Sequence, residues 1–141
     1  MALKVSKIDL WMATIDDQPG GAARKLGPLS AAGADFEFVF TRRTPESPGK
    51  GLVVVTPVKG KKVTEAALAA GFAKPADMHS VRVEGSDKPG ITAKLAQALG
   101  TAGISFRALS AAAIGSKFVT HIALDSADDA ARAVSLLKKL G

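Results

Sequence analysis

Two short runs in this chain join a carboxylate to a proline-glycine turn: Asp17-Gln18-Pro19-Gly20 and, seventy residues on, Asp87-Lys88-Pro89-Gly90. Gly20 and Gly90 have no β-carbon, so a bound group can approach the backbone closely. A helix starting at such a turn offers unpaired N–H groups and the positive end of its dipole, which suit a carboxylate or a phosphate. Asp17 and Asp87 can cap the turn or accept from an ammonium group. One turn therefore offers recognition for both ends of a free α-amino acid. The same residues also make a sound strand-to-helix turn with no ligand at all.

The offset of seventy extends well beyond the turn. It carries Ala23 onto Ala93, Leu29 onto Leu99, Ala32-Gly33 onto Ala102-Gly103 and Phe36 onto Phe106. A repeat of this kind decides the fold reading before anything else does. The 141 residues read as two copies of one small domain, 1–75 and 76–141. Units of this size are marginal alone, and the low aromatic content of 5% limits what each can bury. Packing against another copy, as a homodimer or larger oligomer, is the expected source of further stability.

Other chemistries find little support. There is no cysteine, which excludes disulfides, thiol nucleophiles and thiolate metal sites and fits a reducing compartment. His79 and His121 fall in predicted strands, with no Ser-His-carboxylate spacing around them, and no HExxH, P-loop or GxSxG motif occurs. No catalytic residue, metal site or cofactor is expected. The net charge of +6 is scattered over Lys59-Lys61-Lys62, Arg42-Arg43 and Lys138-Lys139, which reads as solvated surface rather than a nucleic-acid footprint. An RNA-binding sheet needs exposed aromatics; Phe36, Phe38 and Phe40 form a stripe, but Phe36 recurs as Phe106 and reads as core. Met1 to Ile15 alternates without a continuous apolar run, so neither a signal peptide nor a membrane span is expected, and the protein reads as cytoplasmic.

The elements that must hold the turns follow from periodicity. Ile8–Ile15 alternates as a strand, with a helix after the turn to about Ala32, ended by Gly33. Strands are expected at Ala34–Arg42 and Leu52–Val58, a helix at Gly60–Ala70, and a short last strand near Phe72-Ala73-Lys74. The second copy repeats this plan. His79–Glu84 is a strand and Gly90–Ala102 a helix with Ile91, Leu95, Ala98, Leu99 and Ala102 on one face. Ile104–Ile114 and Phe118–Leu124 form a hairpin across Gly115-Ser116. A helix capped by Ser126 runs from Ala127 to Leu140. No final strand is visible, which leaves a sheet edge for another element to cover. Each unit is thus an α+β, ferredoxin-like βαββα(β) fold, an antiparallel sheet with helices on one face. Trp11, Val39, Leu109 and Val119 are expected on the other face. In the first helix Lys25 must snorkel from a core-facing position, and Pro28 predicts a bend.

The stretches Asp87-Lys88-Pro89-Gly90-Ile91-Thr92-Ala93 through Ala102-Gly103-Ile104-Ser105-Phe106 resemble the ACT domain. So do Asp17-Gln18-Pro19-Gly20-Gly21-Ala22-Ala23 through Ala32-Gly33-Ala34-Asp35-Phe36. That family's mark is an acidic residue or Asn, then x-Pro-Gly, an amphipathic helix and a Gly-Ile-Asn-Ile-like entry to the second strand. The resemblance implies a non-enzymatic regulatory module that binds an amino acid or a similar small carboxylate between domains and signals through its oligomeric state or a regulated protein partner. It places Asp17, Gln18, Gly20 and Gly21, with Asp87, Lys88, Gly90 and Ile91, at the ligand-facing turns. Asp35 and Ser105 fall where the family usually has Asn. A protein–protein module without a small-molecule ligand, and a ferredoxin-like nucleic-acid binder, remain as alternative readings of the residues themselves.

Overall fold

The computed structural model describes residues 3–140. Two compact units emerge: Asp9–Pro75, and a second made of the chain through Ile8 together with everything from Ala76 onward. The strands are β1 (Lys4–Ile8), β2 (Trp11–Asp16), β3 (Phe38–Arg43), β4 (Lys50–Thr56), β5 (His79–Ser86), β6 (Phe106–Ile114) and β7 (Lys117–Leu124). The helices are α1 (Gly21–Ala31), α2 (Lys61–Ala69), α3 (Ile91–Thr101) and α4 (Ala127–Lys138).

The second unit is a four-stranded antiparallel sheet in the order β1-β5-β7-β6. Its edge beside β5 is not open. Lys4–Ile8, expected from sequence to belong with the first repeat, pairs antiparallel with β5, Lys4 opposite Glu84 and Ile8 opposite Ser80. Grouped by contact, the chain passes between the units twice, at Ile8–Asp9 and at Pro75–Ala76. The single strand expected over Ile8–Ile15 breaks at Asp9-Leu10, because its two halves pair in different sheets. Val81, Val83, Ile122 and Leu124 line one face of this sheet and pack with Leu95 and Leu99 of α3 and Ala133 and Leu137 of α4. All eight are completely buried. Gly115, at φ 61°, turns the β6–β7 hairpin.

The first unit is a three-stranded antiparallel sheet, β2-β4-β3. The expected last strand near Phe72-Ala73-Lys74 contracts to one bridge, Met12 with Ala73. Trp11, Ala13, Val53 and Val55 pack with Leu29 of α1 and Ala67 of α2. Of four residues expected on the outer sheet faces, two turn to the helices and pack there: Trp11 is in this cluster, and Leu109 packs against the core of the second unit. Val39 stands opposite Val55 on the helix-facing side but is 41% exposed at the edge strand. Of the four, only Val119 lies outward, opposite Glu84 and Ala112. Alternation separates two faces of a strand but does not say which of them meets the helices.

Three helices end identically. Gly33, Gly71 and Gly103 sit at φ 101°, 93° and 73°. The following N–H groups of Ala34, Phe72 and Ile104 donate back to the carbonyls of Leu29, Ala67 and Leu99. This is the Schellman arrangement, and it drives Phe72 and Ile104 into the cores. In α1, Lys25 does snorkel. Its Nζ donates to the Ala70 carbonyl at 2.7 Å, a cation at the negative end of α2. Pro28 lies inside α1, which nonetheless runs unbroken from Gly21 to Ala31.

Candidate functional site

Turn geometry accounts first for the Pro-Gly pair in each repeat. The Gly21 N–H donates to the Gln18 carbonyl at 3.0 Å and the Ile91 N–H to the Lys88 carbonyl at 3.2 Å. Gly20 and Gly90 stand at φ 85° and 84°. Proline second and a left-handed glycine third is what a type II turn requires. Each glycine then serves as N-cap of α1 or α3 without any side-chain cap, so first-turn N–H groups are left to solvent or a ligand. A β-carbon at either glycine would meet open space.

The two turns differ in what surrounds them. In the first, Lys50 donates to Asp16 at 2.6 Å and Arg43 to Asp17 at 2.8 Å. The Lys50 ammonium, by hydrogen bond and then by charge, holds the Asp16 carboxyl below the usual carboxylate range. Gly21 is buried against β2, where a β-carbon would collide with the Asp16 carbonyl oxygen. Its glycine is explained by that close approach. Gln18 is exposed.

In the second turn Asp16 and Arg43 are replaced, while the lysine is kept. Ser86 stands where the first repeat has Asp16, with Lys117 opposite it as Lys50 is opposite Asp16. Ala113 occupies the place of Arg43, opposite Phe118 as Arg43 is opposite Gly51. The Asp87 N–H donates to the Ser116 carbonyl at 2.8 Å. Among the described residues, the side chains of Asp87, Lys88, Lys94 and Lys117 enter no hydrogen bond or ion pair. Beside the turn lies a cleft of about 180 Å³ that includes Gly90, Ser86, Lys88 and Lys94, with Leu3, Ile91 and Leu140 as apolar lining.

Asp35 and Ser105 are exposed and follow the C-terminal ends of α1 and α3. Eleven helical residues set them about 16 Å from the turn of their own unit. The structure does not bring either residue to that turn. Sequence reasoning missed Leu3, Ser86, Lys94 and Leu140. Ser86 and Lys94 were legible as the places of Asp16 and Arg24 in the repeat, whereas Leu3 and Leu140 arrive through the pairing of β1 and the packing of α4. His79 and His121 lie in β5 and β7. Among the described residues no three His, Asp or Glu side chains cluster to hold a metal ion, and no helix is long and apolar enough to cross a membrane.

Both units are α+β folds of the ferredoxin-like class, with antiparallel sheets and helices on one face. Residues 79–141 match the family model of the ACT domain. Solved structures resemble the chain over nearly its whole length. A Bacteroides thetaiotaomicron protein shares 13% identity at a TM-score of 0.76, covering 93% of this chain and 88% of its own. The regulatory subunit of aspartate kinase from Thermus thermophilus, in a ligand-free form, shares 19% at 0.65, covering 99% and 96%. That from Thermus flavus shares 19% at 0.60, covering 96% and 95%. At such identities the likeness is one of fold. No curated protein matches the chain.

Proposed function

We propose that this chain is a non-catalytic regulatory module of two ACT-like units in tandem. It binds an amino acid or a similar small carboxylate beside its Pro-Gly turns and transmits occupancy through its oligomeric state or a protein partner. The observation that carries this reading is the cleft at the Gly90 turn, inside the segment that matches the ACT domain. It joins unpaired lysines, uncapped helix N–H groups and apolar side chains in one place. The separation of Ser105 from the turn fits a site completed where ACT-like domains of neighbouring copies meet. Ligand there shifts an oligomeric equilibrium by its differential affinity for the two states.

Thermal unfolding against the twenty amino acids, each at high concentration, tests the reading. A ligand present at a hundred times its dissociation constant adds about 2.7 kcal/mol, roughly 5–10 °C for a chain of this size. A selective shift supports the proposal. No shift with any of them removes it in favour of a second reading, a protein-binding module. The outer strand β6 favours that alternative, with Ile114 80% exposed and Phe106 38% exposed.

A further inference from the structure

We infer that the two turns have divided their roles: the second takes an aliphatic α-amino acid, one per chain, and the first is a structural joint that takes none. This inference rests on the small-carboxylate reading above and adds the occupied unit, the stoichiometry and the ligand class.

The argument is a position-by-position comparison of one motif in two settings. At the first turn both carboxylates are answered locally. Asp17 is held by Arg43 and Asp16 by Lys50, and Gly21 is pressed onto the Asp16 carbonyl. A ligand carboxylate arriving there meets Asp16, and a ligand ammonium meets an Asp17 already engaged by a guanidinium. Binding would have to break ion pairs that tie the turn to β3 and β4.

At the second turn the same positions are released. Ser86 removes one carboxylate, Ala113 removes the guanidinium, and Gln18 becomes Lys88. Lys88 and Lys94 line the cleft without partners among the described residues and suit a carboxylate. Asp87, next to Lys88 in the chain and equally unengaged, suits an ammonium. Leu3, Ile91 and Leu140 supply an apolar wall. A cleft of about 180 Å³ with this wall favours a compact aliphatic side chain over a charged one.

Titration calorimetry with L-leucine, L-isoleucine and L-valine, and with 4-methylpentanoate as the amine-free analogue of leucine, tests this. The expected result is one equivalent per chain for at least one of the three amino acids. Affinity should fall tenfold or more in the exposed-site variant Lys88→Ala/Lys94→Ala and for 4-methylpentanoate, and stay within twofold in Arg43→Ala. Two equivalents per chain, or loss of binding in Arg43→Ala with Lys88→Ala/Lys94→Ala unaffected, overturns the division of roles while leaving the small-carboxylate reading standing. Binding of acidic or basic amino acids but none of the three aliphatic ones overturns the ligand class. Absence of a thermal shift with all twenty overturns the broader reading, and this inference with it.

Discussion

Asp16 shows how one side chain separates the two halves of the repeat. Its carboxyl is held below the usual range by Lys50, so the folded state binds its proton less readily than the unfolded chain does. The resulting stability is complete above the unfolded carboxylate range and is lost as pH falls through the lowered folded value. Both groups are exposed at the pair, so the effect is modest and screened by salt. Comparing urea midpoints at pH 7 and pH 3, the wild type is expected to lose more than Asp16→Asn, with the gap narrowing in high salt. An equal loss in both proteins would show that the pair contributes nothing. The Asp-x-Pro-Gly motif itself was plain in the sequence, because a type II turn is a local matter of two residues. The reason for Gly21 was not, since the carbonyl that excludes its β-carbon is fixed by the packing of α1 on β2.

Among elements, helices were the more legible. The Ile91, Leu95, Ala98, Leu99 and Ala102 face of α3 packs as its periodicity predicts. The α4 cap is in place too, the Ser126 hydroxyl accepting from the Asp129 N–H at 3.0 Å. Ser126→Ala should cost about 1 kcal/mol, read as a lowered urea midpoint. Leu68→Ala, at a side 58% exposed, should stay within about 0.5 kcal/mol. Strands were harder for a physical reason. Trp11 and Leu109 sit on strands whose two faces both carry apolar residues, so burial is decided by where the helices land. The pairing of Lys4–Ile8 was invisible because its partner, β5, is remote in sequence and an alternating strand fits many edges.

For the molecule as a whole, the second unit is discontinuous in sequence. Val5 is buried in its core, and β1 satisfies the outer backbone groups of β5. Deleting residues 1–8 should therefore speed amide hydrogen exchange in Val81–Glu84 while leaving the amides of β4 protected. Unchanged protection in β5 would show that the strand is dispensable. A cut after Pro75 alone does not yield two complete halves.

The placement of β1 also has a consequence for how the chain is made. A ribosome delivers Lys4–Ile8 first and their partners in β5 long afterwards. In the interval Asp9–Pro75 has all the strands and helices it needs to complete itself. That strand stays unpaired until Ser86 has emerged, and bare strand edges invite misassociation. Translation speed between Ile8 and Ser86 thus sets how long the nascent chain carries that hazard.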